Sequence, residues 1–571
     1  MTTFSPVSDT FRRSKLLNYL FFLVIIFCAY FLKFRSFGLY EDDYWYIGKP
    51  VNQDFHGLLQ LLAYNLTNIE GGQGRFIGMT VPQFLAFISY KLGGLSGVYL
   101  LGIVIVVINS ILIFNFSLKI LPKWVATLSA ILYILYPADT TKPLLIHIYQ
   151  LQLSLCFTLI ALNLYLSGRK FWSFVLAFCS LLTYENAFLL FLTVPLFALD
   201  WDKRIIKRWI VHLLICFSFL IVLFMLRKMM GESRVEGLNP VKMVKRTLGS
   251  VVIGPIFSLY AIIEAIKNVV FSLSMLKWMI VLGLVLFSIW MYAIRGTEPS
   301  ENNLKPRSVL LPFIQPSDPE IGRIFSLILA SGLMLMSSYL LAFTHFPPTS
   351  LHGRNTSVHL ASSIAGSIFI AVMIYYVFYL LRQKKLALNI VRVSLVVLLS
   401  ILFSRGYIIQ HDFAESWKAQ KNFWKQVVHS TPDASDNTII IADVKNMRTD
   451  LQNITTFYNW PIPDIYGQLV EFDSTWKSYP KVAIPGATYT TGLKSDSSGV
   501  YFEPVYSFLF EDREKVYLQD SNTVYLNYID NSLSRIDTVL RVGNFGIHTN
   551  LSTMDNTPFV LKEVGKLMLK D

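Results

Sequence analysis

Long apolar runs dominate the first 410 residues, and short polar stretches separate them. A spanning helix needs about 20 apolar residues, within a range of about 17–25. Runs of this kind fall at 16–34, 97–118, 124–137, 144–166, 171–184, 186–199, 209–226, 275–294, 322–343, 358–381 and 387–408. The pattern predicts about eleven spans. Residues 76–91 are apolar enough to cross, but Pro82 interrupts them and Gly93-Gly94 ends them. They read as a helix lying at the interface. The block 171–199 reads as one long span or as a tight hairpin turning at Tyr184-Glu185, and the placement of the basic loops selects the hairpin.

After residue 410 the texture changes. Residues 414–429 have helical periodicity and include Trp417 and Trp424. Residues 437–444 read as a buried strand, with further short strands at 516–518 and 524–529. The predicted organisation is a helical multispanning membrane domain over 1–409, with a first outer loop over 36–96. A soluble mixed α/β domain over 410–571 follows it.

Composition excludes other classes. Hydrophobic residues make up 53% and charged residues 15%, whereas soluble domains are about 25% charged. Mean hydropathy is +0.48. A soluble enzyme does not fit, and neither does disorder, whose signature is low hydrophobicity. Residues 1–410 hold 35 Lys and Arg against 17 Asp and Glu; residues 411–571 hold 15 against 20. The net charge of +13 thus belongs to the membrane part. Basic loops that set orientation explain it, and no nucleic-acid partner is implied. The four cysteines, Cys28, Cys156, Cys179 and Cys216, lie in apolar runs without metal or redox spacing.

Arg12, Arg13 and Lys15 precede the first apolar run. It reads as a retained first span with its N-terminus in the cytoplasm, in an integral plasma (inner) membrane protein. Lys119/Lys123, Arg169/Lys170, Lys203/Arg204/Lys207/Arg208, Arg295/Lys305/Arg307 and Arg382/Lys384/Lys385 then all face the cytoplasm. The polar segments 40–75, 136–152, 184–185 and 345–359 share the outer face with the C-terminal domain. One loop resists this scheme. Residues 227–246 carry six Lys and Arg and fall outside. Either they bind an anionic ligand or lipid there, or the parity nearby is different.

Directly after the first span comes Tyr40-Glu41-Asp42-Asp43-Tyr44-Trp45-Tyr46. Crowded carboxylates raise each other's pKa, so such a run is costly unless something uses it. In a helical turn, Asp42 and Tyr46 share a face at i,i+4, and Tyr44 and Trp45 would anchor the turn at the interface. A carboxylate here suits a general base or a ligand for a divalent cation such as Mg or Mn, at Asp42 and Asp43. A solvated cap on the first span is the plain alternative. Downstream, Gly71-Gly72-Gln73-Gly74-Arg75-Phe76 opens the 76–91 helix. It lacks the dinucleotide fingerprint, but a Gly-rich turn before a helix can offer N–H groups and an Arg to an anion.

The order of these features resembles the GT-C superfamily of multispanning glycosyltransferases, which use polyprenyl-phosphate sugars. Protein O-mannosyltransferases, the lipid A aminoarabinose transferase and Gtr-type O-antigen glucosyltransferases are the similar members. The matching residues are Asp42, Asp43, Tyr46, Gly74 and Arg75, and the resemblance extends in outline to about residue 200. The chain departs from many relatives in having Gly-Gln-Gly-Arg-Phe where they have His-Pro-Pro.

The resemblance implies an inverting glycosyltransferase that moves a sugar from a polyprenyl-phosphate donor to an acceptor hydroxyl outside the cytoplasm. The acceptor would be a cell-envelope glycan, a lipid or a protein. Asp42 would be the base and Asp43 an orienting or metal-contacting partner. Tyr46, Arg75, Lys142, His147, Glu185, His352 and Arg354 are the expected substrate-binding residues. Three other classes stay open, one of them a non-enzymatic anchor whose C-terminal domain does the binding. A lipid-linked sugar transporter or flippase would show an internally duplicated span pattern, and none is visible. A polysaccharide polymerase or ligase would rely on a late loop, and His345, His352, Arg354 and His359 suit that. Asn65, Asn355, Asn453 and Asn550 each begin a glycosylation sequon.

Overall fold

The computed structural model describes residues 7–67, 74–198, 201, 205–230, 239–294, 319–342 and 346–436. Beyond these it describes 438–444, 451–457, 462–471, 480–484, 493–502, 516–520, 522–529, 532–536, 538–542, 545–549 and 560–569. Among the described residues, nine helices are long and apolar enough to cross a membrane. The chain is a multispanning helical membrane protein with a small C-terminal sheet region.

Helix α1 (Val7–Ile26) runs into a π turn over Phe27–Phe31 and then the first loop. Helix α2 (Phe55–Thr67) lies within that loop. Helix α3 (Phe76–Leu118) is broken at Gly93 and Gly94, whose backbones leave the helical region. Gly94 has φ +59°, which a side chain would strain. A Cβ on Gly97 would sit 2.3 Å from the Ser89 carbonyl oxygen, so the two halves approach closely after the break. The 76–91 stretch and the span after it are therefore two bodies, divided where the sequence places its glycines.

Helices α4 (Lys123–Leu135), α5 (Leu153–Leu166, preceded by a π turn over His147–Gln152) and α6 (Lys170–Thr183) follow. The expected hairpin turns at Tyr184, where the backbone becomes extended, and α7 (Glu185–Phe188) begins the return. Next come α8 (Ile205–Met229), α9 (Pro240–Phe271), α10 (Leu273–Ile294), α11 (Pro319–Ser337), α12 (Leu360–Leu380) and α13 (Lys385–Ser430).

Two of these differ from expectation. Hydropathy placed no element over 240–271, because Lys242, Lys245, Arg246 and Glu264 dilute the apolar residues there. Instead α9 fills it with 32 residues. The expected boundary at 409/410 falls inside α13, a single 46-residue helix. The buried core is likewise continuous, from Phe22 in α1 through Phe413 and Trp424 in α13 to Ile440 and Val482 in the sheet.

That sheet has four strands: β1 (Ile439–Asp443), β2 (Lys481–Ala483), β6 (Thr523–Ile529) and β7 (Ser532–Arg535). Their order is β2-β1-β6-β7, and β1 is parallel to both neighbours. Strand side chains alternate between faces. Ile440 and Ala442 join the main core, while Ile439 and Ile441 pack with Val500, Leu518 and Ile547 in a second one. Two small antiparallel sheets complete the region. One has β3 (Leu493–Asp496), β4 (Gly499–Phe502) and β5 (Val516–Tyr517); the other has β8 (Val539–Val542) and β9 (Phe545–His548). The strands expected at 437–444, 516–518 and 524–529 form, within a residue or two.

Candidate active site at the polar end of the bundle

The acidic run opens a helical turn. The Asp42 carbonyl accepts from the N–H groups of Trp45 and Tyr46, both at 3.0 Å, so Asp42 and Tyr46 do lie one turn apart. The three carboxylates then go to three different environments.

Asp43 is fully buried. One oxygen accepts from the Tyr40 N–H at 3.1 Å and the other from the Ile146 N–H at 2.7 Å. It ties the first loop to the turn before the π segment. Burial holds its pKa well above the usual value, with those two N–H groups opposing. Glu41 is also fully buried and has φ +49°, a left-handed conformation that non-glycine residues seldom adopt. Its carboxylate accepts from the Thr455 N–H and faces Arg354 at 3.5 Å. Burial pushes it up to about 7, Arg354 pulls it down, and Asp42 raises it. Asp42 alone keeps a partly open side chain, 14% exposed, and it accepts from the Arg354 guanidinium. Arg354 is 28% exposed. It opens the 3-10 turn Arg354–His359, behind Gly353 at φ +72°.

The sequence singled out the acidic run and Arg354 separately, and folding joins them across 312 residues. Arg75 goes elsewhere. Its Nε and Nη2 donate to Glu185 at 3.1 and 2.8 Å, and its guanidinium stacks on Tyr184 at 4.1 Å. Arg227, from the end of α8, donates to the same carboxylate at 3.0 Å. Burial would raise the Glu185 pKa, but the two guanidiniums outweigh it and hold the carboxyl well below its usual range. Gly74, at φ +67°, permits this cluster, because a Cβ there would meet the Arg227 side chain at 2.7 Å. The rest of the glycine turn, 71–73, lies outside the described residues.

Other expected binding residues point inward. Lys142 is buried and donates to the carbonyls of Tyr136 and Asp139 at 3.0 and 3.3 Å. Burial lowers it to about 8 against the pull of Asp139. His147 is buried in the π turn between Ile146, which holds Asp43, and Gln150, which donates to the Gly78 carbonyl at 2.8 Å. Tyr44 and Trp45 are corrections. They are buried rather than set as interfacial anchors, and the Tyr44 hydroxyl donates to Gln420 at 2.7 Å. His359 donates from Nε2 to the Ser350 carbonyl and meets the Tyr339 hydroxyl at Nδ1, deep in the core. His345 lies outside the described residues.

Sequence reasoning missed a network beside Arg354. His352 meets Arg405 at 3.0 Å and Glu264 at 3.7 Å. Arg405 donates to Asn453 at 2.9 Å, and Asn453 donates to Asp412 at 2.6 Å. Burial lowers His352 and raises Asp412. The C-terminal segment 451–457 therefore ties α13 to the acidic loop, through Asn453 on Asp412 and Thr455 on Glu41. Asn453 and Asn65 are buried, which closes those two sequons to modification; Asn355 is exposed and Asn550 lies outside the described residues. An arginine in the middle of an apolar run, Arg405, was the available signal, since intramembrane charges are costly and usually paired.

No group of three His, Cys, Asp or Glu side chains able to hold a metal ion occurs among the described residues. The guanidinium of Arg354 stands where a cation on Glu41 and Asp42 would sit, and Asp43 is spent on backbone N–H groups. These residues do not fit an Mg or Mn site.

Comparison of the chain with protein-family models and with curated proteins yields no match. The fold defines a class, a multispanning helical membrane protein, with a charged cluster at one end of its bundle.

Proposed function

We propose that the protein is an inverting glycosyltransferase that takes a sugar from a polyprenyl-phosphate donor and passes it to an acceptor hydroxyl on the outer side of the membrane. One observation carries the reading. Of the three carboxylates after the first span, only Asp42 keeps an open side chain, and a guanidinium stands beside it. In the reaction, the acceptor O–H proton goes to the Asp42 carboxylate as the oxygen bonds to the anomeric carbon. The bond from that carbon to the phosphate breaks, and its electron pair leaves with the lipid phosphate. Phosphate is a good leaving group, so one base and one cation suffice. Arg354 supplies the cation. Its guanidinium lies against the Asp42 carboxylate, so base and cation are held side by side.

The remaining groups support positioning. Asp43 fixes the loop, and Glu41, held by the Thr455 N–H, faces Arg354. Arg75 and Arg227 form a separate cluster around the Glu185 carboxylate. The plasma-membrane location and the cytoplasmic N-terminus belong to the same proposal. Supporting them, the span pattern puts five Lys and Arg clusters on the face opposite the acidic loop, with 227–246 as the exception.

The test uses purified protein and synthetic short-isoprenoid phosphates carrying glucose, mannose or aminoarabinose, with transfer followed by mass spectrometry. Asp42→Asn is expected to lower turnover about 10²–10⁴-fold, the worth of a general base. Unchanged turnover removes Asp42 from the chemistry. An Arg354→Ala variant that loses all transfer while Asp42→Asn keeps it favours the polymerase or ligase reading instead.

A further inference from the structure

Helix α9 has the length and composition of a span, but its neighbours do not run alongside it. Gly249 packs on Phe346 and Gly254 on Tyr339, just beyond the end of α11. The Ser258 hydroxyl meets Tyr136, just past the end of α4, and Ser362, at the start of α12. Glu264 faces His352, and Val269 packs with Ile408 of α13. The contacts are spread over several elements, all at the end of the bundle that holds the acidic loop. A 32-residue helix is about 48 Å long. Only a helix lying across the bundle touches this sequence of partners.

The faces of α9 are distinct. Small residues Ser250, Gly254, Ser258, Ala261 and Ala265 are buried against the bundle. Val244, Leu248, Val252, Ile256, Ile263 and Val270 are exposed. At 100° per residue they fall within a stripe about 120° wide, on the far side from the small residues. Lys242, Lys245, Arg246 and Lys267 overlap one edge of that stripe and continue past it. An apolar face flanked by cations is the pattern of a helix that rests in the head-group layer of a membrane.

We propose that α9 is an interfacial helix: its aliphatic stripe enters the acyl-chain boundary of the leaflet, and its basic edge binds the phosphates of anionic phospholipids. This accounts for basic charge on the side of the membrane where the span pattern does not want it. It requires no sugar transfer, so it stands or falls separately from the proposed reaction.

The experiment places an environment-sensitive fluorophore on single cysteines at Val244→Cys, Ile256→Cys and Val270→Cys. The host is the full chain with its four cysteines replaced by alanine, in nanodiscs of three parts phosphatidylcholine to one part phosphatidylglycerol. Lipids carrying a nitroxide at different depths quench the probe. All three positions are expected at one shallow depth. Depth that changes steadily from 244 to 270 means a spanning helix and overturns the proposal, and so does quenching by water-soluble agents alone. Nitroxide phosphatidylglycerol is expected to quench a few-fold more than the phosphatidylcholine analogue at equal fraction. Lys242→Gln with Lys245→Gln should remove that preference. A preference absent from the starting protein, or unchanged by the pair, overturns the head-group assignment.

Discussion

A glutamate with no exposed surface, in a left-handed backbone conformation, is costly to keep charged. Glu41 meets that cost in part through Arg354 and the Thr455 N–H. Burial still pushes its carboxyl up to about 7, from 4.5 for the free group. Between those values the folded protein holds a proton that the unfolded chain has released, so stability falls as pH rises through that window. Glu41→Gln should flatten the slope of thermal stability there, measured in detergent from about pH 4 to pH 8. Glu185 is the opposite case. Its folded pKa is depressed, so its stabilising effect is fully present at neutral pH and lost only in strong acid. Glu185→Gln removes the carboxylate that Arg75 and Arg227 share. Breaking a buried pair from one side costs about 3–5 kcal/mol, and a large drop in melting temperature is expected. A melting temperature within a degree of the parent's would mean that water already reaches the cluster.

At the scale of elements, close backbone approaches set the geometry. A Cβ on Gly78 would lie 2.2 Å from the Thr183 carbonyl oxygen. The start of α3 is thus pressed against the end of α6, which brings Arg75 beside Glu185. Gly78→Ala must push the two elements apart, at about 1–3 kcal/mol for overpacking. The expected result is a lower melting temperature, and Glu185→Gln should cost less in the Gly78→Ala background than alone. Additive effects would show that the approach does not position the pair. Helix α13 is long for a related reason. Its lower part packs in the bundle, and beyond residue 410 Phe413, Trp417 and Gln420 receive Phe37, Tyr40, Gly38 and Tyr44 of the first loop.

On the scale of the molecule, the C-terminal region is part of the same packed body as the membrane helices. The core passes into it without interruption, and the segment 451–457 ties α13 to the acidic loop. Ending the chain after residue 410 strips the first loop of Phe413, Trp417 and Gln420. The truncated protein is expected to aggregate, or to show rapid proteolysis within residues 40–67. A truncated chain that melts with the parent would make the region an appendage.

The amino-acid pattern determined the helices that apolar runs announce, the glycine break in α3, the turn at Tyr184 and the three predicted strands. Each depends on neighbours in sequence: on hydropathy, on periodicity, or on a backbone conformation that glycine permits. The pattern also picked out the acidic run and Arg354 as polar groups in costly places. What lay beyond it was pairing. The identity of residues 41–43 does not say which carboxylate will be sealed by backbone N–H groups and which will meet a guanidinium three hundred residues away. Nor does mean hydropathy say that α9 lies across the bundle, because a stripe and a span can have the same average. Only the packed chain decides these, since burial, and the partner that each buried charge must find, are properties of the whole.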